Sequence, residues 1–121
     1  MKMTYAIKFV ADMDRAVAFY RDTLGLPVKF ATPFWSEFVT GETTLALHPA
    51  SAEKPAGTVE LGFGVPDLNE FYKAKAASGV TFAMPPTKQD FGGELARFVD
   101  SEGGRCTVSG PPPAVQGQWG K

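Results

Sequence analysis

The chain repeats itself, and this constrains its fold more than any other feature. The stretch FVADMDRAVAFYRDTLGLPVKF (9–30) is echoed by FGVPDLNEFYKAKAASGVTF (63–82), with Val10-Ala11-Asp12-Met13 on Val65-Pro66-Asp67-Leu68 and Gly25 on Gly79. EFVTGETTLAL (37–47) is echoed by RFVDSEGGRCTV (97–108), with Leu45-Ala46-Leu47 on Cys106-Thr107-Val108. Each copy has roughly sixty residues, too few for a sturdy core alone, so the two are expected to pack as a pair. The 121 residues form one domain on this reading: module one at 4–48, a linker at 49–57, module two at 58–110 and a Pro/Gly-rich tail at 111–121.

Both modules predict the same element order. In 4–10, Tyr5, Ile7 and Phe9 alternate with Ala6, Lys8 and Val10, which predicts a strand. Asp12 is suited to cap a helix, since its carboxylate can accept from an early helical N–H. Met13, Ala16, Val17, Tyr20 and Leu24 then fall on one helical face, and Gly25 ends it. Strands follow at about 27–31, 34–40 and 43–48. Module two predicts a strand at 58–64, an Asp67 cap, a helix with Leu68, Phe71, Tyr72 and Ala76 on one face, a stop at Gly79, and strands near 80–84, 94–99 and 105–109. The fold class is therefore α+β: two βαβββ modules, each with a helix on its outer face. The other faces can join into a curved, half-open barrel whose interior would take a ligand.

Composition excludes several functions. Twelve Lys and Arg against 13 Asp and Glu leave no basic block, so nucleic acid is not an expected partner. No apolar run reaches the ~20 residues that cross a bilayer. The first residues lack the apolar stretch of a signal peptide, and the expected location is cytoplasmic. A single cysteine, Cys106, rules out a disulfide within the chain and a structural zinc site built on cysteines; alternation places it toward the helix. There is no P-loop, no dinucleotide-binding glycine fingerprint and no serine-hydrolase elbow.

The strand–VADMDRAVAFYRDTLGL–strand pattern, GETTLALHP, VPDL and DSEGGRCTVSG together resemble the glyoxalase/bleomycin-resistance/extradiol-dioxygenase superfamily, over about residues 4–110. The resemblance implies paired βαβββ modules, usually a homodimer, and a ligand cavity inside the curved sheet. Enzymes of that superfamily hold a divalent metal that chelates substrate oxygens; other members carry no metal and sequester a drug. Fold alone does not choose between these. The resemblance places the metal-ligand slots seven residues before each capping Asp and on the last strand of each module. Here those slots read Tyr5, Ala46, Glu60 and Thr107, of which only Glu60 is a good ligand.

The expected function is accordingly small-molecule binding in the cavity without a tight metal site, so no cofactor is expected. The ligand would be partly aromatic or cationic. The alternative is a metal-dependent lyase, isomerase or dioxygenase in which a divalent metal is held by His48, the lone histidine, and Glu60. Glu60 is also the candidate catalytic residue, as a metal ligand or as a general base in an apolar cavity. The candidate ligand-binding residues are Tyr5, Ile7, Phe9, Trp35, Glu37, His48, Glu60, Phe91 and Thr107. Trp35 and Glu37 share one strand face. Phe91 sits in a segment, 85–98, that is either a lid or an ordinary β-connection. Arg97 and Arg105 would meet an anionic ligand if they faced inward, and Lys8 is expected to snorkel to the sheet edge.

Overall fold

The structure, a computed structural model, describes residues 1–90 and 92–111. The chain divides into two compact units, Thr4–Leu61 and Met1–Met3 with the chain from Gly62 onward. In order it forms β1 (Lys2–Val10), α1 (Met13–Ala18), a π turn (Phe19–Thr23), β2 (Val28–Ala31), β3 (Ser36–Phe38) and β4 (Thr44–Pro49). Then follow β5 (Val59–Gly64), α2 (Leu68–Ala77), β6 (Phe82–Lys88), β7 (Glu94–Val99) and β8 (Arg105–Ser109). This is the α+β, βαβββ-repeated architecture expected from the sequence.

In the first unit the strands lie in the order β2-β3-β4-β1. β1 and β4 run parallel, with Ile7 opposite Ala46 and Phe9 opposite His48, and the other pairs are antiparallel. Asp12 caps α1, its carboxylate accepting from the Arg15 N–H at 3.0 Å. The helix side of the sheet is closed by Val17, Phe38 and Leu47, with Val10, Met13, Ala16, Tyr20, Leu26, Val28 and Leu45 packed against them. Phe38 and Leu47 are fully buried. Burying this apolar surface stabilises the unit, by about 25 cal/mol for each Å² removed from water.

Leu24 departs from the sequence pattern. Its N–H bonds the Phe19 carbonyl, five residues back, so the last turn is wider than an α-turn. The wider turn shifts the phase of the stripe: Leu24 is 54% exposed, and Leu26 takes the core position instead. The helix still ends at Gly25, whose φ of 79° suits glycine. β3 is also shorter than the stretch 34–40. The Thr32 hydroxyl accepts from the N–H groups of Phe34 and Trp35 and donates to the Trp35 carbonyl. That turn holds Phe34 out of the sheet, where it is exposed.

The second unit repeats the plan. Its strands lie in the order β5-β8-β7-β6, with β5 and β8 parallel and the rest antiparallel. Asp67 caps α2 through the Glu70 N–H at 3.1 Å, matching Asp12. Val65, Leu68, Ala96 and Val108 form the core under α2, with Phe63, Phe71, Phe82 and Phe98 around them. Cys106 is buried. β6 runs on through Pro85 and Pro86 to Lys88, and the following turn closes with Gln89 N–H to Gly93 O at 2.8 Å and Gly92 N–H to Gln89 O at 3.0 Å. Among the described residues of the segment 85–98, those in β6 and β7 pair as antiparallel strands.

The connection between β4 and β5 is tied at both ends to the end of β1. Ala50 donates to the Val10 carbonyl at 2.8 Å, Gly57 donates to the Phe9 carbonyl at 2.9 Å, and Phe9 donates to the Thr58 carbonyl at 2.9 Å. Between these feet, the Ser51 and Lys54 backbones form a closed turn, with the Ser51 hydroxyl also accepting from the Lys54 N–H.

Candidate functional site

Alternation along a strand sends successive side chains to opposite faces, so each strand of the first unit that gives α1 an apolar residue gives another residue to the opposite face. From β1 these are Tyr5, Ile7 and Phe9. From β4 they are Ala46 and His48, and from β3 Glu37 with Trp35 just before it. Ile7, Phe9 and Ala46 form a second buried cluster, with Tyr5, Trp35 and Ala50 against it. This helix-free face is largely aromatic. Tyr5 meets Trp35 edge-on at 6.0 Å between ring centroids, and the His48 ring lies 5.2 Å from Phe9 and 6.1 Å from Trp35.

Two buried carboxylates underlie it. Glu37 is 6% exposed. One of its oxygens accepts from the Trp35 indole N–H at 2.8 Å and from the Tyr5 hydroxyl at 3.3 Å; the other lies 3.8 Å from the Lys29 Nζ. A buried carboxylate needs such donors to offset its lost hydration. Burial, with Glu37 beside it as a charge and a hydrogen-bond acceptor, pushes the Tyr5 phenol up to about 12. Tyr5 is therefore a protonated donor at neutral pH.

Glu60, on β5, is 5% exposed, and its Oε1 lies 2.9 Å from the Lys54 Nζ. The same ammonium stands 5.5 Å from the centroid of the Phe9 ring. The sequence pattern did not single out Lys54: it lies in a stretch without periodicity, and only the turn tied to β1 brings it onto this face.

The remaining candidates, His48 apart, fall elsewhere. His48 is exposed, its Nδ1 is 2.8 Å from the Pro49 carbonyl, and it makes no hydrogen bond to Glu60. Thr107 is half-buried on β8 of the second unit, on the face opposite Cys106 and Val108. Arg97, also half-buried, points its guanidinium at the Met84 sulfur at 3.8 Å, and Arg105 is exposed. Lys8 is half-buried. Phe91 and the tail from residue 112 lie outside the described residues. The second unit also has a shallow depression of about 370 Å³ at the start of α2, rimmed by Asp67, Asn69, Lys88 and Glu94.

The slots that the resemblance reserves for a divalent metal do not fit one in the first unit. Tyr5 holds its proton and donates to Glu37, Ala46 has no donor atom, and Glu60 already faces an ammonium. Transition-metal sites draw on His, Cys or deprotonated oxygen ligands. No group of three or more His, Cys, Asp or Glu placed to hold a metal occurs among the described residues. Nor does any helix among them have the length and apolarity to cross a membrane.

The comparisons with known proteins agree with the architecture. The uncharacterized protein YurT of Bacillus subtilis (strain 168) is 33% identical, over 73% of this chain and 83% of its own. Among solved structures, the hypothetical protein BH1468 from Bacillus halodurans C-125 superposes with a TM-score of 0.78 at 15% identity, covering 95% of this chain and 97% of that one. Methylmalonyl-CoA epimerase from Mycobacterium tuberculosis superposes with a TM-score of 0.76 at 16% identity, covering 96% and 91%. These two likenesses are of fold. The family profile that matches residues 2–105 is that of the Glyoxalase/Bleomycin resistance protein/Dioxygenase superfamily, and the chain belongs to that superfamily.

Proposed function

We infer that this protein binds a small, planar, partly aromatic molecule against the helix-free face of its first unit, without a tightly held metal. One observation carries the reading. The Glu37 carboxylate fixes the edges of Trp35 and Tyr5 from below, while His48, tilted against the buried Phe9, continues the same surface. Aromatic faces held by a buried hydrogen bond offer contact area with little rotamer entropy left to lose on binding. The exposed His48 gives the surface a polar edge. The homodimer and cytoplasmic location expected from the sequence belong to the same proposal. No observation favours a metal shared by His48 and Glu60: the first bonds a backbone carbonyl and the second faces Lys54.

The test has two parts. The indole N–H resonance of Trp35, assigned with Trp35→Phe, is followed during titration with planar aromatic fragments, and saturable shifts are expected. Metal content is measured on tag-free protein before and after exposure to nickel, zinc, manganese and iron. No stoichiometric metal is expected. One equivalent that disappears in Glu60→Ala would sink the metal-independent reading, and an indole signal that no fragment moves would sink the aromatic face as a site.

A further inference from the structure

We propose that Lys54 is the polar anchor of this site, and that the ligand presents to it an oxygen acceptor, a carbonyl or carboxylate oxygen, attached to its ring. The inference rests on the aromatic-face reading above and adds the chemical class of the group beside the ring.

Hydrogen-bond accounting separates the two buried charge sites on this face. Glu37 is spent: it accepts from Trp35 and Tyr5, and Lys29 stands 3.8 Å from its second oxygen. It braces the rings rather than awaiting a cation. Lys54 differs. An ammonium has three N–H donors and no acceptor. Among the described residues its ammonium has one acceptor, Glu60 Oε1 at 2.9 Å, besides the face of Phe9. Its side chain is only 24% exposed, too enclosed for unrestricted hydration yet open to a small molecule. An ammonium with donors to spare, on a side chain about three-quarters buried beside an aromatic surface, selects an oxygen acceptor next to a ring. The neighbouring carboxylate, 2.9 Å away, keeps the ammonium aimed.

Position follows from the chain. The Ser51–Lys54 turn and the bonds of Gly57 and Thr58 to Phe9 fix where the lysine stem leaves the backbone. Lys54 thus reaches the face from its own connection, and the strands need supply no cation.

The test uses three probes with one ring: naphthoate, acetylnaphthalene and naphthylmethylamine. Their affinities are measured by calorimetry for the full chain, for Lys54→Met, and for Lys54→Met combined with Glu60→Leu. The double variant keeps the experiment interpretable if the single one folds poorly, because it does not leave the buried carboxylate facing an apolar side chain. Naphthoate and acetylnaphthalene should bind the natural chain more tightly than the amine. Both should weaken about tenfold in each variant, the factor that about 1.4 kcal/mol represents, while the amine keeps its affinity. Equal binding of all three probes with no dependence on Lys54, or tightest binding by the amine, would overturn the anchor and leave the aromatic face standing. Failure of all three to bind would overturn the face and the anchor together.

Discussion

The bond between the Trp35 indole and Glu37 should be measurable as a coupling free energy in stability. The perturbation is a double-mutant cycle of Trp35→Phe, Glu37→Leu and their combination. Each single change strands one partner. Without Glu37, the Trp35 N–H and the Tyr5 hydroxyl lose their acceptor; without the indole, the carboxylate loses its 2.8 Å donor. Hydrogen bonds to charged groups contribute about 1.5–3 kcal/mol. Trp35 is only half-buried, so water can partly replace the lost bond, and the lower figure of about 1.5 kcal/mol applies. The penalty for burying the carboxylate enters both legs of the cycle that change Glu37 and cancels. The double variant should therefore be more stable than the sum of the single effects by about 1.5 kcal/mol. With a urea slope of about 1.5 kcal/mol per molar, that is a midpoint difference of roughly 1 M. Equilibrium urea unfolding followed by circular dichroism reads it directly. Additivity within about 0.3 kcal/mol would refute the claim that Glu37 braces the aromatic face.

Two further outcomes follow from the same geometry. The Tyr5 phenol should ionise near 12, and Glu37→Gln should lower its titration, read by ultraviolet difference absorbance, only part of the way toward 10.0, since the charge leaves while burial, the larger cause, and an amide oxygen acceptor remain. Because its folded pKa is raised above its unfolded value, the stability Tyr5 contributes is fully present below pH 10 and is lost as pH rises through about 12; unfolding midpoints across that window should fall less steeply in Tyr5→Phe. Phe38→Ala, at a fully buried position under α1, should cost about 3–5 kcal/mol by thermal or urea unfolding, and a loss below about 1 kcal/mol would contradict the packing described.

Local chemistry made much of the fold legible in the sequence. Asp12 and Asp67 announce helix starts because a short side-chain oxygen can reach an N–H three residues on, and both do so here. Strand alternation grouped Tyr5, Ile7 and Phe9 on one side of their strand and Trp35 with Glu37 on one side of theirs, because period two holds wherever a strand lies. The exposed Leu24 shows the limit: three- and four-residue spacing assumes an α-turn, and the wide turn at Phe19–Thr23 breaks the phase. Lys54 was hidden for a different reason. Its approach to Glu60 depends on backbone bonds between residues some fifty positions apart, Phe9 with Gly57 and Thr58, and no local pattern encodes those. Likewise, Trp35 and Glu37 could be seen to share a face, but the arrival of Tyr5 on the same carboxylate oxygen could not.

The two feet of the connection that carries Lys54 rest on adjacent residues of one strand, Phe9 and Val10. A loop closed in this way is a cassette. The entropy of closing it rises only slowly with length, so the stretch between Ala50 and Gly57 can be lengthened, shortened or rewritten while its stem keeps the same backbone bonds. Chemistry presented to the aromatic face can then change by editing a few surface residues, with the β-sheet and the helix-side core left intact. That separation gives evolution, or an engineer, a place to swap one recognised functional group for another without renegotiating the stability of the fold.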